Sequence, residues 1–278
     1  MCIRKSTIYI MLLTLLLAGC NSKEKEARER FGLAKKMYEQ NDLFAARNEI
    51  DSIRLKYPGE VKILKDALGL MRQVELKELD RNIAYCDSLL PILQEEVKEL
   101  SKNFILEKDT IYQEIGKYVW KQQTVERNIE RNYIRCNVSE DGVMHLESVY
   151  FGSRPINHTG IKVSLKDGIF AETASIPYDG GMNYRFEDLG NTTEIVTYKG
   201  ENGVDAVKFI YANEKERIRV DYTGGRAYTI YMADADKKAL AATYDLATVL
   251  SDIDTLVRER EKAVKRKAYL ENKLNREE

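Results

Sequence analysis

The stretch LKELDRNIAYCDSLLPILQEEVKELSKNF, residues 76–104, sets the architecture. Leu76, Leu79, Ile83, Cys86, Leu90, Leu93, Val97, Leu100 and Phe104 recur at alternating steps of three and four. That spacing lays one apolar seam along a helix, as at the a and d positions of a coiled coil. A seam of this length needs a partner helix. Residues 234–278 supply one: Leu246, Val249, Ile253, Leu256, Ala263, Leu270 and Leu274 keep the same register, with Arg260 and Lys267 as breaks. Between the two segments the apolar period changes from helical to two. The expectation is an α+β protein, in which 76–104 and 234–278 form a long antiparallel helical hairpin with a β-domain, 110–232, inserted between its helices. Pro91 interrupts the first helix. An interior proline costs about 3 kcal/mol, so the spacing predicts a kink or break near Ser88, with Asp87 or Ser88 capping a fresh helix.

The inserted segment is dense in hairpin signals. Tyr133–Val138 alternates and turns through Ser-Glu-Asp-Gly (139–142) into Val143–Phe151. Ile161–Leu165 turns at Lys-Asp-Gly (166–168) into Ile169–Thr173. Glu194–Tyr198, Ala206–Tyr211, Ile218–Tyr222 and Ala227–Met232 read as further strands. Asp-Gly between alternating runs is a strong local hairpin signal. About seven or eight short strands at this spacing predict an antiparallel sandwich or a partly open barrel.

Upstream of the seam lies a helix-turn-helix. Phe31, Leu33, Ala34, Met37 and Tyr38 form one stripe, and Leu43, Ala46, Ile50 and Ile53 the facing one. Gln40–Asp42 is the turn, with Asn41 or Asp42 able to cap the second helix, and Tyr57-Pro58-Gly59 ends it. From Ala27 to Glu60, the small Ala34 and Ala46 and the closing Pro58 resemble a tetratricopeptide repeat. Arg30 stands at that family's tryptophan position and Ala34 at its glycine position, so the match is partial. Residues 27–105 are thus expected to be a repeat-like and coiled-coil region.

The chain begins with Arg4 and Lys5, then an apolar run, Ile8–Ala18, too short to span a bilayer. It ends in Leu17-Ala18-Gly19-Cys20. This resembles the lipobox of bacterial lipoproteins. The resemblance implies a signal peptide, 1–19, cleaved before Cys20, a diacylglyceryl and acyl (palmitate-type) modification at Cys20, and a lipidated tether, 20–26. Asn21 in second place resembles outer-membrane retention. Surface lipoproteins of the Bacteroidota carry an acidic signal after the cysteine. Lys-Glu-Lys-Glu (23–26) matches it in part, so the periplasmic and surface sides both stay open. Cleavage removes two bases and no acid, leaving 42 basic against 45 acidic residues. That balance gives no basic footprint, and nucleic acid is not an expected partner.

Cys86 and Cys136 remain in a compartment that permits disulfides. A bridge between them and two separate buried thiols are both compatible with the spacing. The two histidines, His145 and His158, lie outside any zinc-type spacing. Asp234 and Asp236 read as N-caps rather than as the start of a calcium loop. No nucleophile elbow or phosphate loop is present. No metal, cofactor or catalytic residue is therefore assigned. Nine tyrosines fall between Tyr133 and Tyr231, with Trp120 just before them. Exposed aromatics can stack on sugar rings or on a peptide. The glycine-bearing loop 176–184 offers a rim for such a contact, so Tyr178, Asp179, Tyr184 and Trp120 are the candidate binding residues. Together these readings predict a non-catalytic outer-membrane lipoprotein, anchored through its N-terminal lipid and acting as a scaffold or protein-binding module. The alternative is a surface lipoprotein that binds carbohydrate through β-domain aromatics.

Overall fold

A computed structural model describes residues 22–109, 111 and 114–277. Cys20 and the leader lie outside these residues, so the lipid-attachment reading does too. Met1–Asp87 with Glu259–Glu278 make one compact unit, and Ser88–Arg258 make the second. The protein is mixed α+β, and the described residues form five helices and two antiparallel sheets.

In the first unit, α1 (22–39) and α2 (Leu43–Lys56) are joined by the expected turn. Asn41 takes the left-handed conformation there (φ 66°), which asparagine tolerates. Asp42 is the cap: its Oδ1 accepts the Ala45 N–H at 3.0 Å. The third helix, α3, runs Val61–Leu100. Ala34 and Ala46 are fully buried, and with Leu43, Ile50, Ile53, Ala67 and Val74 they build one core from the three helices. α5 spans Asp234–Glu277. Within this unit its later part runs antiparallel to α3. Glu75 pairs with Arg266 (2.7 Å) and Asp80 with Lys267 (2.5 Å), while Asp87, further along α3, pairs with Arg260 (2.5 Å), earlier on α5. Arg260 and Lys267, the two breaks in the apolar register, thus both find acidic partners on α3, as Arg266 does. Ala263 and Leu270 of the same stretch are buried.

Pro91 does not break α3, which is helical from Val61 to Leu100. Its side chain is exposed, and the helix carries it without the N–H that would bond the carbonyl four residues back. The seam does stop short of its predicted end. Leu100 closes the helix, a single 3-10 turn covers Ser101–Asn103, and Phe104 opens a strand.

The second unit holds the sheets. β1 (Phe104–Glu107), β2 (Lys117–Trp120), β3 (Tyr133–Ser139) and β4 (Met144–Gly152) are followed by β5 (Gly160–Ser164), β6 (Phe170–Glu172), β7 (Asn183–Asp188) and β8 (Asn191–Lys199). β9 (Arg219–Thr223) and β10 (Tyr228–Tyr231) follow α4, and the two sheets have orders β1-β2-β3-β4-β8-β7 and β10-β9-β5-β6. Gly142 (φ 82°) and Gly168 (φ 92°) take the left-handed turn positions that Asp-Gly promised. One core cluster joins Ile134, Leu146, Val196 and Tyr198 of the first sheet to Ile161, Val163, Val220 and Tyr222 of the second. Val97 and Leu100 of α3 pack with Leu246 and Leu250 of α5 around Phe104 and Trp120.

The segment expected as a strand at 206–211 is a helix, α4 (Val204–Ala212). Ala206, Lys208 and Ile210 alternate and imitate a strand, but Ala206, Val207 and Ile210 also fall on one helical face. That face is the one buried in the core. β1, β2 and β7 carried no alternation strong enough to be anticipated.

Candidate functional site

An apolar cleft of about 370 Å³ opens in the second unit where the β3–β4 hairpin, the end of β8, α4 and α5 converge. Glycine makes the approach possible. Gly142 sits at the hairpin tip, and a Cβ there would strike the Ser251 backbone of α5. Gly203 starts α4 against β8, and a Cβ there would stand 2.9 Å from Tyr198 Cβ. Two close approaches therefore hold the hairpin tip on α5 and the α4 turn on β8, and the cleft is the space between them. A third tie fixes the helical walls: the Tyr211 hydroxyl donates to Asp245 at 2.8 Å, and its ring lies 4.5 Å from that of Tyr244.

The lining is apolar at depth, with Met144, Leu146, Tyr198, Val204, Val207 and Ala247. Glu201, Lys208, Thr248, Ser251 and Asp252 are exposed at its mouth. Tyr198 presents its ring to the cleft and directs its hydroxyl away, to within 3.0 Å of Ser148 Oγ. Burial pushes that hydroxyl well above the ordinary tyrosine pKa. A pocket of this size and lining suits a few apolar side chains or a small apolar ligand. Below the polar and charged groups at its mouth, its walls supply contact and desolvation.

Behind the cleft lies a constellation that sequence reading missed. Ser148 Oγ is 2.9 Å from His158 Nε2, and His158 Nδ1 is 2.7 Å from Glu194 Oε2. The spacing is that of a serine–histidine–acid relay. Its placement is not, because Ser148, His158 and Glu194 are 0%, 1% and 2% exposed. A nucleophile must meet substrate, and the Ser148 hydroxyl is engaged by His158 and Tyr198. Glu194 is the hub of the network. Its Oε1 accepts the N–H groups of Ile156 and Asn157 at 2.7 Å, and Oε2 accepts the His158 N–H at 3.1 Å. Successive N–H groups around a left-handed residue, here Asn157 (φ 56°), form an anion-holding nest. Burial raises the Glu194 carboxyl pKa, but the hydrogen bonds from His158 and from the Asn157 and His158 backbone outweigh it and hold the group below the usual range. The network ties loop 153–159 to β4 and β8. Residues 10 and 36 positions apart carry it, and no local pattern in the sequence could announce it.

The residues singled out from sequence scatter. Trp120 is not a surface aromatic: it is buried, edge-to-face on Phe104 at 5.1 Å. Tyr184 is half-buried on β7 beside Tyr133, Val149 and Ile195, away from a loop rim. Tyr178 is exposed, 5.1 Å below the Arg185 guanidinium. Asp179 is a turn-former: its Oδ1 accepts the N–H groups of Gly181 (2.8 Å) and Asn183 (2.9 Å), which depresses its pKa. Cys86 and Cys136 are both buried, each within its own unit, and both are free. Of the tyrosines, Tyr133, Tyr150, Tyr198 and Tyr222 are interior. His145 lies on β4, where burial lowers its pKa and Lys199 adds to the shift.

Asp236 does more than begin α5. It is buried, pairs with Arg131 and accepts from Gln123 Nε2 at 3.3 Å. Among the described residues no three His, Cys, Asp or Glu side chains converge on a metal position, and no helix is long and apolar enough to cross a membrane. No family model matches the chain, and neither a curated protein nor a solved structure shows significant similarity to it.

Proposed function

We propose that this protein is a non-catalytic, lipid-anchored scaffold of the outer membrane that holds a protein partner. Cys20 is the anchor in this reading, α1–α3 are a tetratricopeptide-like unit, and the two sheets form a sandwich-like module. The observation that carries it is the apolar cleft between the β3–β4 hairpin, α4 and α5. Its walls are built by glycine-permitted close packing, and its mouth carries both charge signs. A partner segment with one or two apolar anchors and a polar flank fits such a site. The carbohydrate reading has less support, because Tyr133, Tyr150, Tyr198 and Tyr222 are spent on the interior.

Two measurements test this reading. Cys20→Ser should move the protein from the membrane fraction to the soluble one, and retention in membranes would overturn the anchor. A photo-crosslinking residue at Ser251, at the cleft mouth, should give one discrete adduct in cells. Thr248→Trp, which plugs the mouth without touching the core, should abolish it. No adduct, or an adduct indifferent to the plug, would refute the cleft as the docking site.

A further inference from the structure

β7 is an open edge of the six-stranded sheet. Its pairing shows which of its backbone groups are unused. The Thr197 N–H donates to Met182 O at 2.7 Å, so the even-numbered positions face β8. The odd-numbered ones face outward. Asn183 spends its outward carbonyl on the N–H groups of Asp179 (3.2 Å) and Gly180 (3.0 Å). By the same alternation Arg185 and Glu187 aim their N–H and C=O groups away from the sheet. All residues from Arg185 to Leu189 are exposed. Phe186 is half-exposed and Leu189 92% exposed, and both border a groove of about 150 Å³ floored by Tyr133, Val149 and Ile195.

We propose that β7 pairs antiparallel with β7 of a second copy of this chain, with Phe186 on the two-fold axis. An isologous antiparallel pair centred on Phe186 sets Arg185 opposite the partner's Glu187, and Glu187 opposite the partner's Arg185. Both members of each pair carry outward-facing backbone groups, so each exchanges both N–H···O bonds. Opposite charges then face each other twice, and Phe186 meets its own copy at the closely spaced, non-hydrogen-bonded position. The neighbouring centres fail: an axis at Arg185 or at Glu187 sets like charge on like charge. Arg185 is already ordered by Asn157 Oδ1 and by the Tyr178 ring, and Glu187 makes no ion pair with any other described residue. The partner is thus a second copy, because at this register the outward backbone groups pair and the charges of the edge complement one another.

The test is cysteine cross-linking of the full-length chain in membranes. Phe186→Cys should give a disulfide dimer on mild oxidation, and Asp188→Cys, off the axis, should not. Adding Arg185→Glu or Glu187→Arg to Phe186→Cys should cut the dimer yield about tenfold, since each change places like charges opposite at two sites. The double exchange Arg185→Glu/Glu187→Arg should restore it. Thermal melting of each variant checks that the fold persists. No dimer from Phe186→Cys in a folded protein would overturn the proposal. So would equal yields at 186 and 188, insensitivity to the charge changes, or an adduct with a different protein.

Discussion

His158 Nδ1 lies 2.7 Å from Glu194 Oε2, with both side chains shut away from solvent. The contact couples stability to pH through the carboxyl group. Glu194 is held below its ordinary 4.5 in the folded chain. Its contribution is therefore complete above the unfolded value and is lost as pH falls through the folded one. Melting temperature should be insensitive to this group near neutrality and fall below about pH 4.5. Glu194→Gln should cost about 3 kcal/mol at pH 7, because three backbone donors and the imidazole lose a charged acceptor, and it should flatten the acid limb. An equally steep acid limb in the variant would assign that limb to other carboxylates.

Ser148 stands where a nucleophile would, yet its surroundings make it a hydrogen-bond relay between His158 and Tyr198. A fluorophosphonate probe should leave the folded protein unlabelled. Ser148→Ala should stay folded and lose about 1–2 kcal/mol, the cost of leaving a buried polar partner unsatisfied. Labelling at Ser148 would mean that the site opens, and it would revive a hydrolytic reading.

How much of this could be read from the chain follows the range of each interaction. The hairpins at Asp141-Gly142 and Asp167-Gly168 are local, and glycine at positive φ announces them. The seam from Leu76 to Leu100 was legible because helical period is local too. α4 was not, since Ala206 and Ile210 fit a strand face with Lys208 and a helix face with Val207, and packing against β5 and β6 decides between them. β7 was hidden by its turn, where Leu189 replaces the customary asparagine. The fate of the aromatics was illegible for a different reason. Trp120 and the interior tyrosines are amphipathic, and only the three-dimensional neighbourhood settles whether ring or hydroxyl decides their place. The cleft and the Ser148–His158–Glu194 network join residues far apart in sequence and needed the structure.

Cys136 is fully enclosed, and burial pushes its thiol up to about 12. A thiol without thiolate does not react. Iodoacetamide at pH 8 should leave Cys136 and the buried Cys86 unmodified in the native protein and should alkylate both in urea. Peptide mapping reads the outcome residue by residue. Native labelling of Cys136 would show that the sheet core opens on the timescale of the reaction. A Cys86–Cys136 peptide cross-link would instead restore the bridge.

Leu189 and Gly190 form the two-residue connection between β7 and β8, closed by the Asp188–Asn191 pair. Both take positive φ, 48° and 78°, as a type I′ turn demands. A branched aliphatic residue at the first position holds its Cβ against the carbonyl, at about 1–2 kcal/mol. Asparagine tolerates that conformation. Leu189→Asn should therefore raise the free energy of unfolding by about 1 kcal/mol, measured by urea denaturation with an unchanged m-value. The gain should come from the backbone, since the leucine side chain is almost wholly in solvent. It should be matched by Leu189→Gly only in part, because glycine also adds freedom to the unfolded chain. A loss of stability in Leu189→Asn would mean that leucine makes contacts worth more than the strain it bears.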